Sequence, residues 1–236
     1  MMKVLWRGKL GNLTVTNFKL GIGIPLSWTH VPVAFFESFI QIEKPNFTYL
    51  PAHNGPVDGL RNYIIEQAIV TGCSHVLLMD ADQIYPVDTI TRLLSHKLPV
   101  VHGMVFRRYP NFDNLLFKGE INHYTNMVEG VDYTDGDVVE VDAIGTGCAM
   151  YDVRVFLDIE QPWFEFIPNP DTEKGGVVGE DVWFAQKLHK AGYKIYCDTR
   201  VKIGHLTMFT IDENFSRLYQ SLLKRQIEIN KRDDSS

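Results

Sequence analysis

The stretch "SHVLLMDADQIYP", residues 74–86, decides how this chain is read. Four apolar side chains, Val76 to Met79, run directly into two aspartates, Asp80 and Asp82, separated by one alanine. A short apolar run of this kind reads as a strand covered on both faces, as in a parallel sheet flanked by helices. In an open α/β sheet, ligands bind beyond the carboxyl ends of the strands, and the two carboxylates stand at such an end. Adjacent carboxylates repel, and their proton affinities are pushed apart unless a cation sits between them. Their hard oxygens suit Mg²⁺ or Mn²⁺, which in turn hold diphosphates. A plain polar turn after a strand is the competing account, because Asp is common in turns.

Working outward, the first half alternates. Residues 19–26 (KLGIGIPL), 46–52 (NFTYLPA), 75–79 and 98–106 (LPVVHGMVF) read as strands. Residues 30–44, 56–72 and 87–96 read as helices between them, the first with Val33, Phe36 and Ile40 on one face. Pro near the start and Gly at the end bracket the second helix. This alternation predicts a parallel sheet with helices on both faces. Residues 107–142 are polar and aromatic with turn signals, which predicts short antiparallel strands or an ordered excursion. Further on come strand pieces around Gly145-Thr146-Gly147, a long Pro/Gly loop over 162–179, a helix over 180–192, strands "YKIYCD" and "RVKIGHL", and a C-terminal helix over 212–232.

The chain has 236 residues and a formal charge of −6, so electrostatics lend no general support to nucleic-acid or anionic-membrane binding. Cys73, Cys148 and Cys197 form no CxxC pair, so neither a disulfide framework nor a zinc site is expected. Residues 1–18 lack the apolar core of a signal peptide, and no window has the ~18 uninterrupted apolar residues of a membrane span. The expectation is one cytoplasmic domain: a half over 19–106, a second half over 107–211, and a helix and tail over 212–236.

Other residues invite a functional reading. Glu180 and Asp181 open a helix, where acidic residues are favoured by the dipole and cap well; they are equally placed as catalytic or acceptor-binding carboxylates delivered by a loop. His205 ends a late strand, either as a structural residue or as an imidazole ligand for Mn²⁺. Arg61 lies on the helix before the Asp-Ala-Asp strand, where a guanidinium either meets solvent or meets a diphosphate. "GIGIP" fails as a dinucleotide fingerprint, because Leu26 stands where the third glycine is required. The Gly145–Gly147 bend offers either close backbone approach to a ligand or a tight turn. Trp163, Phe164 and Phe166 either close a sugar site or pack locally.

In this order the pieces resemble GT-A fold glycosyltransferases, especially the family 2-like enzymes of bacteria and phages. The match runs over residues 19–207: a first strand and loop (21–27), Arg61-Asn62, Asp80 and Asp82, Gly145–Gly147, Gly179-Glu180-Asp181, and Gly204-His205. The resemblance implies an α/β GT-A domain with a mixed, mostly parallel central sheet and a small antiparallel acceptor-side lobe. It implies a nucleotide-sugar donor, UDP by default, held with Mn²⁺ or Mg²⁺. Asp82 would be the direct metal ligand, Asp80 a ribose or metal-water contact, and His205 a further ligand. Gly23, Pro25, Arg61, Asp80, Gly145 and Thr146 would face the donor. Asp181, with Glu180 as the alternative, would be the base of an inverting enzyme; in a retaining one an acidic residue there binds sugar hydroxyls. The acceptor class stays open among a glycan, a small molecule, a protein and a modified DNA base, the last through a strip such as Arg107 and Arg108. Two other readings stand beside it: a sugar-1-phosphate nucleotidyltransferase, and a non-catalytic carbohydrate-binding protein. The first is disfavoured by the absence of Arg and Lys from "GIGIPLSWTH".

Overall fold

The computed structural model describes residues 18–171, 173 and 175–233. The N-terminal stretch read for a signal peptide lies almost wholly outside these residues, as does most of the Asp-Asp-Ser-Ser tail. Thirteen strands and six helices follow in the described residues. They run β1 (Leu20–Leu26), α1 (Val33–Gln41), β2 (Phe47–His53), α2 (Val57–Val70), β3 (His75–Met79), β4 (Gln83–Ile84), α3 (Thr89–Ser95) and β5 (Val100–Val105). Then come β6 (Leu116–Lys118), β7 (Thr125–Asn126), β8 (Val138–Val141), β9 (Ala143–Ile144), β10 (Cys148–Asp152) and α4 (Arg154–Leu157). The last are β11 (Ile167–Pro168), β12 (Val177–Val178), α5 (Glu180–Lys190), β13 (Ile195–His205) and α6 (Glu213–Asp233).

The central sheet has the order β2-β1-β3-β10-β5-β13-β4, with β8 also paired to β13. Strands β2, β1, β3, β5 and β13 point the same way, and β10 is inserted antiparallel between β3 and β5. The sheet is therefore mixed, with a parallel majority direction. Its two faces are both covered. Val76 and Leu78 join a core with Leu60, Ile64, Ala68, Phe184 and Leu188 from α2 and α5. Leu77 and Met79 join the opposite core with Phe35 from α1 and Ile90 and Leu93 from α3. The period of two in the apolar run is thus split between two helix layers, which is why the run shows no polar alternation. A separate sheet, β7-β6-β9, forms the small antiparallel lobe.

Three local expectations change. The apolar face read on α1 is the wrong one: Val33, Phe36 and Ile40 are exposed, while Phe35 and Ser38 are buried. Phe35 is stacked with Phe39 and meets Tyr85 edge-on, and that contact decides which stripe turns inward. The strands read separately at "YKIYCD" and "RVKIGHL" are one strand, β13, with a register irregularity between Asp198 and Lys202. The glycines of "GIGIP" serve packing. A Cβ on Gly23 would lie 2.2 Å from Ile64 Cγ2, so the missing side chain lets α2 settle on β1. Gly23→Ala is expected to cost about 1–3 kcal/mol through overpacking. Urea unfolding checks it: the loss should shrink when Ile64 is already alanine, as coupled neighbours require.

Residues 207–233 form a second unit, described by itself. Its helix α6 is capped where Asp212 Oδ1 accepts the Phe215 N–H at 2.9 Å. No described helix is long and apolar enough to cross a membrane.

Candidate active site

A cleft of about 340 Å³ opens beyond the carboxyl ends of β1 and β3. It is lined by Pro25 near the end of β1, by Ser27, Trp28 and His30 after it, by Arg61, by Asp80, Asp82 and Gln83 after β3, by Arg108, by Gly145–Gly147, and by Glu180, Asp181 and His205. Residues up to 180 positions apart in sequence share this space. Of the residues singled out above, Gly23 stays outside it, under α2. Trp163 and Phe164 are buried and Phe166 exposed, and none of the three lines the cleft. Trp163 gives its indole N–H to the Phe156 and Ile159 carbonyls, and Phe164 packs on Phe184 at 4.5 Å between ring centroids. They are packing residues.

The turn after β3 is held from beneath. The Asp80 N–H donates to the Gly147 carbonyl at 3.0 Å, so the β3–β10 ladder continues into the turn. The buried Tyr85 hydroxyl lies 2.8 Å from both the Asp80 and Gly147 carbonyl oxygens, either of which can accept its proton. A Cβ on Gly147 would fall 2.0 Å from the Gln83 amide, so a side chain there requires the buried Gln83 to move. Burial, and the neighbouring acidic groups after it, raise the Tyr85 phenol well above its ordinary range, so it stays protonated.

His205 reaches this turn through a two-residue ladder. Strands β4 and β13 pair Gly204 with Ile84 and His205 with Gln83, and the Leu206 N–H donates to the Asp82 carbonyl at 2.8 Å. His205 Nδ1 lies 2.7 Å from the Phe106 carbonyl, which can only accept, so Nδ1 carries the proton. Nε2 is thereby directed at Asp82 Oδ2, 3.3 Å away. Arg108 Nη1 donates to the same oxygen at 2.7 Å. Burial alone would raise the Asp82 carboxyl, but His205 and Arg108 together hold it below its ordinary value. Burial opposes the charged form of His205, yet Asp82 and the Phe106 carbonyl raise its pKa.

Arg61 has a different place from the one expected of a diphosphate ligand. Its side chain is 4% exposed and joins two acidic motifs. Nη2 donates to Asp80 Oδ1 at 2.9 Å and Oδ2 at 3.2 Å, and Nη1 donates to Glu180 Oε1. Both Nη atoms are committed to carboxylates, and Nε has no partner. The adjacent Asn62 is a clamp: its Oδ1 accepts the N–H groups of Trp163 and Phe164, and its Nδ2 donates to the Phe164 carbonyl at 2.7 Å. Asp181 sits beside Glu180 with Oδ1 accepting the Val182 N–H at 2.7 Å. Burial raises both the Glu180 and Asp181 carboxyls, against the pull of Arg61.

His102, on β5, was not singled out in the sequence. It is buried, edge-on to Tyr151 at 5.5 Å, and neither ring nitrogen makes a well-formed hydrogen bond, although the Gly145 backbone weakly favours its charged form. Burial lowers its pKa from 6.5 to about 3. The unfolded chain takes up this proton near 6.5 and the folded ring refuses it until about 3, so stability falls as pH drops through that window. The loss should reach on the order of 3 kcal/mol by pH 4. His102→Leu is expected to flatten urea midpoints measured from pH 7 to pH 4; an unchanged slope would assign the acid sensitivity elsewhere.

No protein-family model matches the chain, and no curated protein does. Solved structures do. The crystal structure of A197 from STIV aligns with a TM-score of 0.56 at 13% identity, over 81% of this chain and 87% of that one. GalNAc-T7 with UDP, GalNAc and Mn²⁺ aligns with a TM-score of 0.59 at 10% identity, over 81% of this chain. This chain spans only 44% of the GalNAc-T7 chain. S. aureus TarS 1–349 in complex with UDP-GlcNAc aligns with a TM-score of 0.47 at 13% identity, over 83% of this chain and 60% of that one. At these identities the likeness is one of fold: the chain has the GT-A-like α/β arrangement, with its cleft at the carboxyl ends of β1 and β3.

Proposed function

We propose that the protein is a metal-dependent glycosyltransferase that moves a sugar from a nucleotide-sugar donor, a UDP-sugar by default, to a hydroxyl acceptor. The observation that carries this reading is the convergence of Asp82 and His205 on one point, with the His205 tautomer set by the Phe106 carbonyl. A carbonyl-oriented imidazole beside a carboxylate is the usual support of a metal-ligating histidine. The GalNAc-T7 structure, of like fold, holds UDP and Mn²⁺.

The residues fit a divalent cation as a partial set. Among the described residues no group of three or more His, Cys, Asp or Glu is arranged to hold a metal. Mg²⁺ and Mn²⁺ in nucleotide sites commonly take one or two protein ligands and complete their shell with phosphate oxygens and water. Asp82 and His205 would be those ligands, and Asp80, engaged by Arg61, would support the turn. The bound cation supplies Lewis-acid neutralisation of the departing nucleoside diphosphate. The cleft itself has four carboxylates against the guanidiniums of Arg61 and Arg108, a balance that repels a diphosphate unless a cation accompanies it. Pro25, Ser27, Gly145 and Thr146 shape the donor side. Asp181 is the better acid–base candidate of the acidic pair, because burial raises both carboxyls but only Glu180 is committed to Arg61 by a hydrogen bond.

A screen of UDP-, GDP- and other nucleotide sugars for hydrolysis with Mn²⁺ tests the reading. One donor should release its nucleoside diphosphate, and EDTA should remove that activity reversibly. Turnover indifferent to EDTA, or no binding of any donor, would sink it.

A further inference from the structure

We propose that Arg108 is a movable counter-charge: it holds the cation position on Asp82 until a diphosphate draws it away. This rests on the glycosyltransferase reading and extends it to the order in which ligands enter. Arg108 Nη1 lies 2.7 Å from Asp82 Oδ2, the same oxygen that His205 Nε2 faces at 3.3 Å. A guanidinium therefore stands where a divalent cation would share that oxygen, and the two positive charges exclude one another. The side chain is free to leave, being half exposed, while the buried guanidinium of Arg61 is not. Its backbone is anchored next door. The Arg107 N–H donates to the Asp113 carbonyl at 2.8 Å, Arg107 Nε donates to Asp113 Oδ1 at 2.7 Å, and the guanidinium lies 5.5 Å from the Tyr109 ring centroid. Arg107 thus pins the segment, and the side chain of Arg108 is the part that swings.

The chemistry favours exchange. A guanidinium binds carboxylate and phosphate with the same fork of donors, and a diphosphate offers more negative charge than one carboxylate. When it arrives, Arg108 moves to the phosphates and exposes Asp82 to the cation. Without it, Arg108 offsets the repulsion between Asp80 and Asp82 and keeps the cation's affinity low. Metal and nucleoside diphosphate then bind cooperatively, each raising the other's affinity by the same factor.

The test is Arg108→Met, which keeps the apolar stem and removes the charge, with far-UV circular dichroism and a urea midpoint to confirm folding. Titrated with MnCl₂ alone, the variant is expected to bind Mn²⁺ roughly fivefold more tightly than wild type, the scale of losing one partly exposed ion pair. Titrated with UDP at saturating Mn²⁺, it is expected to bind roughly fivefold more weakly, and Arg108→Lys to fall between. Mn²⁺ affinity that is unchanged or weaker in the methionine variant overturns the proposal, as does unchanged UDP affinity. If wild type binds both ligands and the variant matches it, only the role of Arg108 falls. If wild type binds neither, the metal-dependent reading falls with it.

Discussion

Arg61→Ala is expected to lower the free energy of unfolding by about 3–5 kcal/mol, the scale of breaking a buried ion pair from one side. Arg61 is the shared partner of Asp80 and Glu180, and Glu180 is itself buried. Removing the guanidinium leaves two carboxylates facing each other in a poorly solvated place. Burial already raises Glu180 and Asp181 with Arg61 present, so both will take up protons more readily without it. The result should appear as a large drop in urea midpoint, strongest at neutral pH and smaller in mild acid. Arg61→Lys should recover only part, because an ammonium cannot present a planar fork to two carboxylates at once. Adding Glu180→Gln to Arg61→Ala should recover part as well, since the cost lies in the abandoned charge. A loss below about 1 kcal/mol would place Arg61 with ordinary surface pairs and contradict the bridging role.

Asp82→Asn is expected to do the reverse: leave the fold intact and reduce sugar transfer on the order of a thousandfold, the scale of losing a main electrostatic stabiliser of the transition state. The change is nearly isosteric and removes one of four cleft carboxylates, so like-charge repulsion eases. Its partners Arg108 and His205 keep access to the remaining oxygen or to solvent. Stability should therefore stay within about 0.5 kcal/mol of wild type. Mn²⁺ binding by titration should be lost alongside activity. A variant that transfers sugar at near wild-type rate, or that binds Mn²⁺ as before, would remove Asp82 from the proposed metal site. Together the two substitutions separate the framework of the cleft from its chemistry.

Much of this architecture could be read locally. "HVLLM" forecast a strand buried on both faces, and the alternation of Val76 and Leu78 with Leu77 and Met79 between two cores is that forecast in three dimensions. The order of acidic motifs forecast a cleft at the strand ends, and Asp80, Asp82, Glu180, Asp181 and His205 do line one. Other features could not be read this way. Val33, Phe36 and Ile40 make as good an apolar stripe as Phe35 and Phe39; the choice depended on Tyr85, some fifty residues away. Asn62 next to Arg61 looked like part of one motif, yet its amide holds the 163–164 backbone while Arg61 holds the acidic pair. Trp28 and His30 entered the cleft unforeseen; their only advance signal was their place just past the end of β1, where ligands gather in such sheets.

What the sequence determined alone was periodicity and chemical type: which segments are strands or helices, which carry two helix layers, and which carboxylates end a strand or open a helix. These depend on neighbours within a few residues, and that information is contiguous. Pairing, by contrast, came from the three-dimensional arrangement. That Arg61 joins Asp80 to Glu180, that Gly23 is a seat for Ile64 outside the cleft, and that Arg108 and His205 meet on one oxygen of Asp82 all follow from strand order and register. Those arise from the closure of one sheet over some two hundred residues, through a two-residue ladder between β4 and β13 and the antiparallel insertion of β10, whose strand was legible locally but whose partners were not.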